Sequence, residues 1–123
     1  MPKNIIVTVK TAYIPTQSDP ENSQFVFAYT ITIHNNGTEG AKLLTRHWII
    51  TDAHGNTQEV KGEGVLGQQP HLAPGETYEY TSGTILNTPV GCMKGSYQMI
   101  SDTGEAFDAE IPLFSLAIPD ILH

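Results

Sequence analysis

One cysteine, few basic residues and no long apolar run set the first limits on this 123-residue chain. The lone thiol, Cys92, cannot close an internal disulfide, so the core alone has to hold the fold. No basic segment leads into a continuous apolar stretch at the amino terminus, which together with the single cysteine points to a reducing, cytoplasmic setting. The longest apolar stretches, such as Ile5-Ile6-Val7 and Leu113-Phe114, fall far short of the roughly 18 residues that cross a bilayer as a helix. No membrane association is expected. Six Lys and Arg stand against 13 Asp and Glu, for a formal charge of −7. The shortage of cations is worst in the second half, where Lys94 alone faces the seven acids of residues 76–123. Such a field repels a phosphate backbone, and nucleic acid is not an expected partner.

Helical periodicity is also missing: no stretch beyond about ten residues combines a 3.6-residue apolar stripe with caps at both ends. What the chain does have is alternation with period two, the mark of strands with one face in a core and one toward water. Phe25, Phe27, Tyr29, Ile31 and Ile33 share one side of a strand, and Val26, Ala28, Thr30, Thr32 and His34 the other. Ile5, Val7 and Val9 alternate in the same way before Pro15, and residues 16–23 read as a polar loop. Asn35-Asn36-Gly37 signals a tight turn, because asparagine and glycine tolerate left-handed backbone. A strand follows over 41–51 with Trp48 as the candidate inter-sheet plug. A turn at Asp52-Ala53-His54-Gly55-Asn56 leads to a short strand over 57–61. Pro74-Gly75 turns the chain into a strand over 77–83 that residues 84–87 extend or restart, and Pro89 and Gly91 are expected to break it. Strands over 95–100 and 106–116 finish the series, and Pro112 in the last requires an edge, a bulge or a switch between sheets. Seven or eight strands at this spacing predict an all-β sandwich of two antiparallel sheets, with residues 1–123 as one domain.

Gly62-Glu63-Gly64-Val65-Leu66-Gly67 has the G-x-G-x-x-G spacing of a dinucleotide site. There the motif follows a strand and opens a helix whose N–H groups face a pyrophosphate. Here Pro70 stands three residues beyond the last glycine and Pro74-Gly75 follows, which leaves no room for that helix. The segment is expected to cross between sheets. A nest of loop N–H groups is the competing reading, with Gly62, Gly64 and Gly67 as candidate anion-binding residues. Glu63 would repel the anion, and Lys61 is the one local cation.

The remaining reactive residues form no recognisable constellation. His34, His47, His54, His71 and His123 are scattered, with none at H-x-H or H-x-x-x-H spacing, although Asp52 and His54 share a turn. Asp102, Glu105, Asp108 and Glu110 lack the calcium-loop pattern. Cys92 has Lys94 two residues on, on the same side of an extended strand, but no base or oxyanion hole is apparent. Glu76 and Glu79 suit a solvated strand face better than an acid–base couple. Tyr97 or Tyr78 is the candidate for a tyrosine that ties a sandwich corner. No catalytic residue, metal ligand or cofactor is assigned.

Several segments together resemble the ApaG family over essentially the whole chain. They are Phe25-Val26-Phe27-Ala28-Tyr29-Thr30-Ile31-Thr32-Ile33, Leu44-Thr45-Arg46-His47-Trp48-Ile49-Ile50-Thr51, the run from Val60 to Pro70, Leu72-Ala73-Pro74-Gly75-Glu76, Tyr78 to Gly83 and Gly95-Ser96-Tyr97-Gln98-Met99. The resemblance implies an immunoglobulin-like or fibronectin type III-like sandwich. Similar domains serve as modules in F-box proteins and in a protein that interacts with a DNA polymerase, which implies a protein partner. Bacterial members are linked genetically to cobalt and magnesium homeostasis under the name CorD. A phosphate site has been suggested for the family's glycine motif, which maps onto Gly62, Gly64 and Gly67. The resulting expectation is a non-enzymatic, protein-binding domain, with self-association through a sheet face or edge strand as one form. The alternative is a phosphate-, nucleotide- or divalent-metal-binding protein using the glycine loop or the acidic surface.

Overall fold

The computed structural model describes residues 4–119. Eight strands are formed among them: β1 (Ile5–Tyr13), β2 (Phe25–Asn35), β3 (Ala41–Asp52), β4 (Thr57–Glu63), β5 (His71–Leu72), β6 (Thr77–Leu86), β7 (Val90–Ser101) and β8 (Ala106–Ala117). They pair antiparallel in two sheets, one ordered β1-β2-β6 and the other β4-β3-β7-β8 with β5 also on β3. This is the expected immunoglobulin-like, fibronectin type III-like sandwich.

Alternation decides which side of each strand enters the core. Phe25, Phe27, Tyr29, Ile31 and Ile33 of β2 are all buried, as are Leu43 and Trp48 of β3 and Met93, Tyr97 and Met99 of β7. Burying each such side chain stabilises the fold by about 1.5–3 kcal/mol relative to exposure. Trp48 occupies the expected central place. Its ring meets Tyr29 edge-on at 5.3 Å and Phe114 at 5.9 Å and 88°, arrangements that the aromatic quadrupole favours.

Pro112 satisfies two of the alternatives left open for it. β8 is an edge strand, and its register against β7 shifts between Met93 opposite Phe114 and Gly95 opposite Ile111. The proline lies in that irregularity, where no ladder donor is missed.

Other local expectations need correction. Gly91 does not break a strand, since β7 runs unbroken from Val90. The residue is small because the Thr51 carbonyl passes 2.6 Å from where a Cβ would sit. Residues 16–23 are not a plain loop but contain two 3-10 turns, Pro15–Gln17 and Pro20–Asn22. Ser18 fastens them, with its Oγ donating to the Ile14 carbonyl and accepting from the Val26 N–H, both at 2.8 Å. Asn35-Asn36-Gly37 does turn, but by a side chain and without left-handed glycine. Asn35 Oδ1 accepts the Gly37 N–H at 2.9 Å, while its buried Nδ2 holds the carbonyls of Glu39 and Leu72. Tyr97 and Tyr78 tie no backbone corner; their hydroxyls meet Tyr80 and Gln68 instead.

Candidate functional site

The glycine segment is an excursion within one sheet. β4 and β5 both pair with β3, at Thr45–Thr51 and at Ala41–Lys42, so residues 64–70 leave and rejoin the same edge. They do so at a bulge in β3, where the Leu44 carbonyl accepts the Gly64 N–H at 2.8 Å and Gln69 Nε2 at 2.9 Å. The crossing to the other sheet, expected at these glycines, comes later at Ala73–Glu76. Pro74-Gly75 turns there with Gly75 at φ 87°.

Each glycine of the spacing has its own reason. Gly62 lies opposite Arg46 and leaves room for its guanidinium, which a Cβ would meet at 2.7 Å. Gly64, at φ 61°, is packed so closely under the Gln68 carbonyl that no Cβ fits. Gly67 sits at φ 78° in a two-residue turn closed by reciprocal Val65 and Gln68 N–H···O bonds of 2.8 and 2.9 Å. The other central residue, Leu66, has φ 49°, which costs a side-chain-bearing residue about 1–2 kcal/mol. Positive φ at both central positions is what a type I′ turn demands. The N–H groups of Gly64, Val65 and Gln68 are thus spent on internal bonds.

Beside this turn the sandwich has an opening. The edge strands of the two sheets on this side are β4 and β6, and Ser82 is the small inward residue that β6 contributes. The cleft, of about 250 Å³, is lined by Tyr29, Trp48, Tyr80, Ser82, Arg46 and the Glu63–Gly67 turn. Arg46 enters from β3 with the same parity as Trp48. Its Nη1 donates to the carbonyls of Glu63 at 3.0 Å and Gly64 at 2.8 Å. No carboxylate among the described residues pairs with it. Behind it the Tyr80 and Tyr97 hydroxyls share a 2.5 Å hydrogen bond. Burial pushes the Tyr80 phenol up to about 12, against the lowering effect of the Tyr97 bond and of Arg46. Burial raises Tyr97 further, with the neighbouring Tyr80 adding to it.

The other sequence candidates stay apart. His34 bonds Thr77 Oγ1 at 2.8 Å, His47 bonds Glu59, and His71 bonds Asp102 at 2.8 Å. His123 lies outside the described residues. The Asp52 carboxylate is turned to its own loop, accepting the N–H groups of His54 and Asn56. Desolvation raises its pKa, but these bonds outweigh that and hold it below the ordinary value. Among the described residues no three His, Cys, Asp or Glu side chains gather as a metal would need. Glu76 and Glu79 diverge, the first accepting the Ala73 N–H and the second the Thr32 hydroxyl. Cys92 pairs across the sheet with Thr51 and Ser115, not with a base.

A larger hollow, about 530 Å³, lies over the outer face of β3 and β4. Arg46, His47, Lys61 and Glu63 line it together with Thr45 and Gln98; Thr45 Oγ1 donates to Gln98 Oε1, and Gln98 Nε2 to Ser96 Oγ.

The chain as a whole has clear matches among known proteins. The family model of the ApaG domain matches residues 15–101. The chain belongs to the ApaG family. Protein ApaG of Thiobacillus denitrificans is 60% identical over 119 residues, covering 97% of this chain and 94% of that one. Protein ApaG of Pseudomonas paraeruginosa is 60% identical over 117 residues, covering 95% and 93%. The crystal structure of a protein described as ApaA from Bordetella pertussis superposes with a TM-score of 0.94 at 51% identity, covering 97% of both chains. ApaG membership accounts for the sandwich. It supplies no catalytic residue to place.

Sequence reasoning missed Arg46 as a site residue. The signal was present, since a cation that shares strand parity with Trp48 and Ile50 must enter the sandwich or distort it.

Proposed function

We propose that this domain works by binding a partner protein through the outer face of the β1-β2-β6 sheet. The observation that carries this reading is the make-up of that face. Ala12, Ala28 and Gly83 lie in one row, Thr30 and Thr81 in the next, and Val26 and Ile85 continue it toward one end. Among the described residues Lys10 and Glu79 are its only formal charges. Ile6 and Ile85 are 42% and 60% exposed. The hydroxyls are held flat, with Thr30 and Thr81 bonded to each other at 2.8 Å and Thr32 to Glu79 at 3.1 Å. A surface of short, preorganised side chains with few charges is cheap to desolvate and loses little rotamer entropy on docking. Edge-on pairing with β6 is the smaller variant of the same contact.

The experiment is affinity capture from native lysate with the wild-type chain, Ala28→Glu at the centre of the face and Glu110→Gln on the opposite face. A partner retained by wild type and Glu110→Gln but lost with Ala28→Glu supports the reading. A partner retained equally by all three overturns it. Sedimentation of the same proteins tests self-association: a dimer dispersed by Ala28→Glu makes a second copy the partner. On this reading the family's cobalt and magnesium association lies downstream of the partner. Titration calorimetry with Co²⁺ and Mg²⁺ checks it, and micromolar binding to the isolated domain would replace it with a direct metal role.

A further inference from the structure

We propose that the cleft between β4 and β6 is a receptor for one carboxylate carried on an apolar body, with Arg46 as the recognising group. It lies on a different surface from the sheet face, so either reading can fail alone.

Part of the Arg46 guanidinium is uncommitted. Nη1 is tied to the carbonyls of Glu63 and Gly64, which fixes the plane of the group. The other N–H groups have no partner among the described residues. No buried side-chain nitrogen or oxygen there lacks a hydrogen bond, so these N–H groups face solvent. A planar fork held in position and left open suits two-point binding of a carboxylate. The surroundings narrow the choice. Tyr29, Trp48 and Tyr80 supply apolar walls, and Ser82, half-buried on the inward side of β6, supplies a hydroxyl with no bond of its own among the described residues.

Charge and size then separate the candidate anions. Glu63 also lines the cleft, and Lys61, paired with His47 on β3, belongs to the outer face of the sheet. One cation offset by one neighbouring carboxylate favours a monoanion over pyrophosphate or a nucleotide, whose extra charges would find no counterpart. A volume of about 250 Å³ is also below the range of roughly 300–1,000 Å³ typical of whole small-molecule sites. It holds a single end group. Two sources present that chemistry: the carboxyl-terminal residue of a polypeptide, and a free organic acid.

The test is an amide chemical-shift titration of the full chain with N-acetyl-leucine, N-acetyl-leucinamide, and a hexapeptide ending in leucine as free acid or amide. Inorganic pyrophosphate is the competing probe. The expected result is saturable shifts at Leu66, Gly67, Ser82 and the Trp48 indole with the acids, and binding of the amides weaker by about tenfold or more, as loss of a charge-assisted pair requires. A hexapeptide acid tighter than N-acetyl-leucine, with shifts spreading along β4 or β6, identifies a polypeptide end; equal affinity identifies a free acid. Arg46→Gln should abolish the preference for acid over amide. Because that change also loosens the turn, Ser82→Leu provides the second variant, filling the cleft from the other sheet while leaving Arg46 intact, and should abolish the shifts. Equal binding of acid and amide, no saturable shift with any acid, full binding by Ser82→Leu, or tighter binding of pyrophosphate would each overturn the proposal.

Discussion

The two outer faces of this sandwich are built on the same core and differ in almost everything else. On the β1-β2-β6 face, short threonine, alanine and glycine side chains lie flat with little formal charge. On the face of the larger sheet, Glu59, Lys61, Lys94, Asp108 and Glu110 project from paired strands, and His47 is spent on Glu59. Alternation obliges both faces to be outside, but does not oblige them to be alike. Charged residues keep one face solvated and discourage docking, whereas the other can be dried at small cost. The difference makes one side of the molecule costly to dry and the other cheap, which is what supports the docking role proposed for the β1-β2-β6 face.

The broadest way to break the contrast is to remove what supports both faces. Trp48→Ala leaves a void between Tyr29 and Phe114 and should cost about 3–5 kcal/mol in denaturant-melt stability. A loss under about 1 kcal/mol would mean the sheets are held together elsewhere. A sharper cut compares one glycine from each sheet. In Gly95→Ala the new methyl lands on the His47 carbonyl and the Trp48 backbone, so a loss of about 1–3 kcal/mol is expected from overpacking between β3 and β7. Gly83→Ala on the flat face is opposed only by the Phe27 carbonyl at 3.3 Å, and its stability should move by less than about 1 kcal/mol. Equal penalties would erase the distinction.

Alkali probes the join between the sheets. Tyr80 loses its proton near 10 when unfolded and at about 12 when folded. Between those values the unfolded state has lost a proton that the native state keeps, so stability should hold below pH about 10 and fall as pH rises toward 12. Phenolate absorbance recorded alongside circular dichroism checks whether ionisation and unfolding coincide. The smallest effect belongs to the flat face itself. Thr30→Val removes the bond to Thr81 at an exposed position and should cost about 0.5–1 kcal/mol by thermal melt, without disturbing the larger sheet.

Strand existence was readable because the apolar residues of β2 alternate without a fault, and no other regular structure buries Phe25 through Ile33 on one side. Strand ends were less so. β5 is two residues long and has no pattern to detect, while β7 begins before a glycine that sequence logic takes for a breaker. Gly91 and Gly95 are there for close passage of β3, whose Thr51 and His47 carbonyls lie 40 and 48 positions away in the chain. The candidate site was the least legible part. Gly62, Gly64 and Gly67 drew attention through their spacing, yet Gly64 and Gly67 serve backbone geometry and Gly62 makes room for Arg46. The spacing names the segment without naming the residue whose chemistry fills it.

Period-two hydrophobicity, turn residues and the lack of any helical stripe fixed two antiparallel sheets and the inward side of most strands, since burying apolar side chains at that spacing permits little else. Tertiary structure alone decided that β4 and β5 share one edge of β3, that the glycines leave and rejoin that edge, and that Arg46 and Ser82, from different sheets, line one cleft. Those outcomes depend on which strands become edges, a choice made by packing between residues distant in sequence that no local pattern records.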